Sequence, residues 1–351
     1  MMGYFSAHLP GTAGVLKAAP EDFLVEEIPA YPPSGEGTHL FLTVEKRGIT
    51  TQEMVRRIGR DLGISPSDIG IAGQKDRQAV ARQVISVPIV GKEFQRASNL
   101  KLDGITVLSA ARHPHKLRTG HLRGNRFTIT LRGVTEGAEA RARTVLDFLV
   151  ATWLPNRFGA QRFGMHGDNA GEGRKVLRGE LHVEDRFRRR FLISAYQSQL
   201  FNRYLDLRTD EGLLDRVMVG DLMQKVDTGG IFECQPTDLT SAQARFELRK
   251  IVPTGPMFGY TMMAPSLGTA AALREQRILD EAELDPAVFG QFGRLAEGTR
   301  RPLLVRIEEA AVRQEGDALV LQFALPSGSY ATVLLDEIMK PSEPLKHAAD
   351  G

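Results

Sequence analysis

At 351 residues the chain exceeds the usual size of a single hydrophobic core, so two domains are expected. A hydrophobic share of 42% and a charged share of 25% are ordinary for a globular protein, and 45 Lys/Arg against 43 Asp/Glu leave a formal charge of +2, which argues neither for nor against a nucleic-acid partner. The single cysteine, Cys234, excludes an internal disulfide and a cysteine-based metal cluster, which suits a reducing cytoplasm. No apolar run approaches the roughly 18–20 residues that span a bilayer, and residues 1–16 lack the pattern of a signal peptide.

In chain order, residues 23–28 and 39–45 alternate as strands do, joined by a Pro- and Gly-rich loop over residues 29–38. From Thr51 the period becomes helical: Met54, Val55, Ile58 and Leu62 make one apolar face, and Gly63 is a stop. Residues 69–72 lead into a Lys-Asp turn, and the β-branched residues 84–87 leave it as a strand. Residues 125–132 put Phe127, Ile129 and Leu131 on one side of a half-buried strand, and residues 138–153 read as a helix ended before Pro155. From about Trp153 to Pro302 the chain is mainly helical, most clearly over 195–207, 242–250 and 270–281. Strand-like sequence resumes at 303–307 and 318–323, and the end from Ser342 reads as frayed. Helices and strands mix without regular βαβ repetition, so the fold class from pattern is mixed α+β. Strand, long helical excursion, strand is the signature of an inserted domain. The expected division is a discontinuous core of residues 1–152 and 305–351 around an insertion of residues 153–304.

The run Ile71-Ala72-Gly73-Gln74-Lys75-Asp76-Arg77-Gln78-Ala79-Val80-Ala81-Arg82-Gln83 sets a Lys-Asp pair directly after a glycine turn, between two apolar segments. That context can present Asp76 in a cleft while neighbouring basic groups keep it ionised, ready to act as nucleophile or base. An isolated Gly-x-Lys-Asp is an ordinary exposed turn. The full run, however, resembles the catalytic motif of the TruD family of tRNA pseudouridine synthases, in which the Asp attacks the flipped uridine nucleotide. Similar matches occur in family order at Lys17-Ala18-Ala19-Pro20-Glu21-Asp22-Phe23-Leu24-Val25-Glu26-Glu27 and Gly124-Asn125-Arg126-Phe127-Thr128-Ile129. They continue at Asn156-Arg157-Phe158-Gly159-Ala160-Gln161-Arg162-Phe163-Gly164, at Ser194-Ala195-Tyr196-Gln197-Ser198-Gln199-Leu200-Phe201-Asn202, and at Leu325-Pro326-Ser327-Gly328-Ser329-Tyr330-Ala331-Thr332.

The resemblance implies a pseudouridine synthase core with a mixed, mainly antiparallel sheet, interrupted by a mainly helical α+β insertion. It implies isomerisation of a tRNA uridine, at position 13, to pseudouridine. That reaction breaks the N1–C1′ bond, turns the base and rejoins it through C5. It needs a carboxylate near the ribose, a pocket for the detached uracil and a base for the C5 proton, and no metal or redox cofactor. Asp76 fits the carboxylate, whether it attacks C1′ or removes the 2′-proton. Lys17 is the candidate cation beside it, with Lys75 as the alternative. By the same resemblance Phe23, Asn125 and Tyr330 contact substrate and Phe127 lies beside the catalytic Asp; the family often has Phe where this chain has Tyr330. A flipped base is usually stacked between aromatic or apolar side chains, and Asn125 suits the Watson–Crick edge of uracil. For the two phenylalanines the plainer alternative is core packing.

Two basic runs point to RNA. Residues 112–126 hold five Lys/Arg, three His and no acid, read as a flexible loop with Lys116, Arg118 and Arg123 facing phosphates. Residues 186–191 put Arg188, Arg189 and Arg190 beside two aromatics, where a solvated face is the usual reading of a single run. The spacing of His113, His115 and His121 fits no closed zinc pattern, so no metal is expected. Gly159, Gly164, Gly167, Gly171 and Gly173 read as a loop without the Gly-Lys-Ser/Thr ending of a phosphate-binding NTPase, and the resemblance makes it the hinge into the insertion. The expected protein is a cytoplasmic, monomeric tRNA-modifying enzyme without cofactor, metal or membrane. The competing readings are a non-catalytic RNA-binding protein of the same fold and an RNA-directed hydrolase or transferase.

Overall fold

The computed structural model describes residues 4–88, 93–164 and 167–341, except the side chains of Glu93 and Phe94; the reading of a frayed end from Ser342 lies outside the described residues. The N-terminal half runs β1 (Phe23–Pro29), β2 (His39–Lys46), α1 (Thr51–Leu62), β3 (Gly70–Ile71), β4 (Val80–Pro88), α2 (Glu93–Ser98), β5 (Lys101–Leu102), β6 (Ile105–His113), β7 (Leu122–Leu131) and α3 (Ala138–Thr152). A middle segment follows: β8 (Leu154–Pro155), α4 (Asn169–Leu177), α5 (Arg186–Asp210), β9 (Leu222–Lys225), β10 (Ile231–Glu233), α6 (Leu239–Glu247), β11 (Ile251–Met257), α7 (Ala270–Ala282), α8 (Val288–Gln291), β12 (Thr299–Pro302) and β13 (Leu304–Val305). The chain then adds β14 (Glu308–Glu315), β15 (Ala318–Pro326) and α9 (Ala331–Met339).

The large sheet takes strands from both ends of the chain, in the order β14-β15-β7-β1-β4-β2-β6-β5, with β3 beside β4. Only β1 and β4 pair in parallel, so the sheet is mixed and mainly antiparallel. One face is covered in two blocks. Phe23, Val25, Phe127, Ile129 and Leu321 pack under α3 and α9. Leu40, Leu42, Val44 and Ile85 pack under α1 and α2. The apolar spacing of α1 explains its seating: Met54, Val55, Ile58 and Leu62 are buried, Thr50 Oγ1 accepts from Glu53 N at 3.1 Å, and Gly63 ends the helix with φ 70°. The opposite face carries a solvated row of cross-strand charges, Arg126–Glu26–Arg82–Glu45, and farther along β2 it is covered where Phe41 packs with Ala72 and Leu117.

The middle segment builds its own four-stranded sheet, β10-β9-β11-β12, and a separate core along α5. At its root β8 pairs with β13, so its two ends leave the large sheet together. Three readings from the sequence change. The helix expected over 195–207 is α5, which begins nine residues earlier, at Arg186. Gly171 and Gly173 lie within α4 rather than a loop, and a side chain at Gly173 would collide with the Leu192 carbonyl of α5. The strand β14 was not anticipated, because a run of Glu, Ala, Arg and Gln with only Val312 buried carries no apolar alternation.

Candidate active site

The loop between β3 and β4 carries Asp76, and every neighbouring anchor fixes its backbone rather than its carboxylate. Lys75 turns inward, where its Nζ meets Glu27 Oε1 at 2.6 Å with the side chains 7% and 1% exposed. Glu27 Oε2 accepts from Val84 N at 3.0 Å, so both carboxylate oxygens are used. Lys75 N donates to Thr51 Oγ1 at 2.9 Å, and that hydroxyl donates to Gln83 Oε1 at 3.0 Å. Lys46 is fully buried at the end of β2, and its Nζ donates to Asp76 O at 2.5 Å and to Ile49 O at 2.8 Å. The carboxylate itself is left to Lys17, whose Nζ lies 3.4 Å from Asp76 Oδ2. Of the two cations weighed from the sequence, Lys17 pairs with Asp76 and Lys75 with Glu27. The Asp76 carboxylate, expected in a cleft, is half open: its side chain is 46% exposed, whereas that of Lys17 is only 10% exposed.

Lys17 is held by more than its charge. Its backbone is left-handed, with φ 56°, a conformation that disfavours a residue bearing Cβ and recurs at functional sites. Its Nζ lies 4.6 Å from the centre of the Phe23 ring, a cation–π contact. Phe23 meets Phe127 edge-on at 6.0 Å, and Phe127 stacks on Phe323 at 5.3 Å. Both Phe23 and Phe127 are 6% exposed, so they serve as core residues whose edges floor the site.

Strand register aligns the polar groups beneath the loop. Asn125 on β7 faces Glu27 on β1 and Leu325 on β15, one row along from Phe127, Val25 and Phe323. The Asn125 Oδ1 atom is buried without a partner among the described residues, as is Gln83 Nε2. A buried acceptor that lacks a donor is costly unless a ligand supplies one. Tyr330 closes the far edge: it packs against the cluster containing Phe23 and Phe127 and meets Phe158 edge-on at 5.8 Å. Burial pushes its phenol above the ordinary range, against the pull of Arg162 and Arg301.

The basic residues are not gathered here. The 112–126 run is a strand end, a loop and a strand start rather than one flexible loop. Arg123 pairs with Glu308 at 3.2 Å and Arg126 with Glu309 at 2.5 Å, partners contributed from the far end of the sequence. Lys116 Nζ is tied to Ser67 O at 2.5 Å. Lys116 and Arg118 line a groove of about 690 Å³ with Tyr31, His39, His113 and His121. His39 and His113 point to the face opposite Lys46 and Glu27, and Tyr31 stacks on His113 at 5.2 Å. Arg188, Arg189 and Arg190 sit in the first turns of α5, where Asp185 caps the helix and Arg188 reaches Glu172 at 3.3 Å. Phe187, beside them, is 88% exposed. Among the described residues no group of three or more His, Cys, Asp or Glu is placed to hold a metal ion, and no helix is long and apolar enough to cross a membrane.

Sequence reasoning missed Lys46, Glu27, Thr51 and Gln83. A signal existed: each is a polar residue at an inward position of an otherwise apolar pattern.

A family model described as tRNA pseudouridine synthase D (TruD) matches residues 1–184 and 181–338. A tRNA pseudouridine synthase D of Anaeromyxobacter dehalogenans is 46% identical over 99% of this chain and 99% of its own length. One from Geobacter sp. strain M21 is 42% identical, covering 96% and 99%. A solved structure titled as a tRNA pseudouridine synthase D from Methanosarcina mazei superposes with a TM-score of 0.79 at 24% identity, covering 97% of this chain and 96% of that one, a likeness of fold.

Proposed function

Because the chain belongs to the TruD family, tRNA pseudouridine synthase D, we propose that it isomerises uridine 13 of tRNA to pseudouridine with Asp76 as the carboxylate. The observation that carries this reading is the Lys17–Asp76 pair on a loop tethered through Lys75 to Glu27, the strand partner of Asn125, whose buried oxygen has no partner among the described residues. The reaction is an isomerisation without net redox change: the N1–C1′ bond breaks, C1′ bonds to C5, the C5 proton leaves and N1 gains a proton. Asp76 works at the ribose, at C1′ or at the 2′-proton. Lys17 meets only Oδ2 of a carboxylate that is 46% exposed, which leaves Asp76 able to reach a substrate. Asn125 Oδ1 accepts from uracil N3–H, and Phe23, Phe127 and Tyr330 border the base. The enzyme acts in the cytoplasm as a monomer without metal or cofactor, its core of residues 1–152 and 305–351 gripping tRNA together with the insertion of residues 153–304.

The direct test is incubation of the purified protein with an unmodified tRNA transcript, followed by mapping of pseudouridine. Product at position 13 is expected. Product elsewhere would retire the position alone, and no product on any tRNA would retire the activity.

Asn125→Ala and Phe127→Ala are expected to lower turnover more than tRNA binding, since affinity comes mainly from phosphates outside the pocket. Single-turnover rates beside a binding titration check this; equal losses in both, or a melted protein, would return the two residues to a packing role.

Arg188, Arg189 and Arg190 are read as phosphate contacts. Four arginines within the first turns of α5 repel one another and oppose the helix dipole, so their replacement by Gln is expected to leave the helix at least as stable. Loss of tRNA affinity in the triple Gln variant then reports contact rather than unfolding. The slope of log K against log salt is expected to fall by roughly 2–3, up to about 0.9 per duplex phosphate contact. An unchanged slope would make the run a solvated face.

A further inference from the structure

The seam between the large sheet and the middle segment holds two half-buried guanidiniums that, among the described residues, have no acid to match them. Arg301 lies across the Phe158 ring, 4.0 Å from its centre. Its Nε donates to Asn156 O at 3.0 Å, and its Nη2 to Asn156 Oδ1 at 2.6 Å and Gly328 O at 2.9 Å. Arg162 donates from Nε to Ser198 Oγ at 3.2 Å and from Nη2 to Ser194 Oγ, and its guanidinium sits 5.2 Å from the centre of the Phe191 ring. Every one of these acceptors is neutral. The buried arginines are treated differently: Arg208 meets Asp221 at 2.6 Å, Arg300 meets Glu275 at 2.7 Å and Arg274 meets Glu211 at 2.7 Å.

Among the described residues, the groups acting on the charge of Arg301 are Tyr330 and Arg162, and on that of Arg162 only Tyr330. Burial and the second cation pull the Arg301 guanidinium down to about 10, and burial lowers Arg162 as well. An unmatched cation partly withdrawn from water is costly, and a second cation near enough to act on it adds to the cost, unless an anion joins them. The Nη1 atoms of both side chains donate to no described residue, and neither is sealed from solvent. Tyr330 links this seam to the reaction site, since it packs against the cluster containing Phe23 and Phe127 on one side and against Phe158 on the other.

We propose that Arg162 and Arg301 bind a backbone phosphodiester of the substrate RNA next to the reacting uridine, so that the seam itself is part of the substrate site. The inference rests on the reading of Asp76 as the reacting carboxylate, since Tyr330 then sits between the base and its phosphate. Arg301 is also a structural clamp through its three carbonyl-type acceptors, whereas Arg162 contacts only serine hydroxyls and is the residue to vary. Both are positioning residues.

The test combines protein and substrate changes. In tRNA carrying a single methylphosphonate in place of each linkage around the target uridine, wild type is expected to lose about tenfold to a hundredfold in affinity at one or two linkages, the scale of a charge-assisted hydrogen bond. This arm needs no folded variant. Arg162→Gln is expected to raise KM by a similar factor with kcat little changed, Arg162→Lys to recover most of that loss, and Arg162→Gln to be indifferent to the methylphosphonate that hurts wild type. A flat methylphosphonate profile, or additive losses from protein and substrate changes, would overturn the proposal, as would an unchanged KM. Inhibition of wild type by millimolar inorganic phosphate with no methylphosphonate effect would mean a free-anion site and would overturn it equally. Failure of the underlying reading looks different: wild type would bind the RNA with the expected profile yet yield no pseudouridine.

Discussion

Asp76→Asn is expected to abolish pseudouridine formation, a loss of at least about 10²–10⁴-fold, while the protein folds and binds tRNA almost as before. The structure explains why those quantities separate. The anchors of the loop hold the Asp76 carbonyl and the Lys75 amide, and neither changes in the Asn variant. The side chain itself meets Lys17 at 3.4 Å and is 46% exposed, so the lost ion pair is worth less than about 1 kcal/mol. What disappears is a carboxylate able to attack or take a proton. Single-turnover assays on saturating tRNA, with a thermal melt alongside, decide it; ample product from a folded Asn variant would remove Asp76 from the chemistry.

The second large effect is structural. Lys75→Met strips the partner from Glu27, whose side chain is 1% exposed, and leaves a carboxylate buried without its cation. Breaking a buried pair in this way costs about 3–5 kcal/mol, even though intact buried pairs add little net stability. Adding Glu27→Gln should restore much of the loss, because Gln still accepts from Val84 N and no charge remains inside. Catalysis should not return with stability, since the loop has lost the tether that aims Asp76. Urea denaturation of the single and double variants measures the stability, and a pseudouridine assay on the double variant measures the catalysis. A single variant within about 1 kcal/mol of wild type would show that Glu27 is well solvated or repartnered.

How far the sequence could be read depended on the range of each interaction. Helix α1 was legible because its apolar face, its Thr50 cap and its Gly63 stop all lie within fourteen residues of one another. Asp76, Lys17, Phe23, Asn125 and Phe127 were singled out only by resemblance; their residue types alone describe a turn, a surface lysine and a core strand. Arg123 and Arg126 looked free because their acidic partners lie 185 and 183 residues away, on a strand with no apolar alternation to announce it. The start of α5 was hidden because arginines at a helix N-terminus oppose the usual charge preference, leaving Asp185 as the only local sign. Arg162 and Arg301 stood in or near matched segments, but that neither has an acid beside it among the described residues is a fact of three dimensions.

The interleaving of the large sheet sets an order on the protein's birth. Strand β7 lies between β1 and β15, and β15 is synthesised about two hundred residues later, after the whole middle segment has emerged. Until then β7 is a bare edge displaying Phe127, Ile129 and Leu131 beside unpaired amides, the kind of edge that invites other chains. The Phe127 ring waits equally long for Phe323, and Asn125 for Leu325 across the ladder. A ribosome stalled before Ala318 would therefore hold a chain that already contains Lys17, Asp76 and Asn125 but has no finished floor beneath them, and the last of the described strands to leave the exit tunnel is the one that completes the candidate site.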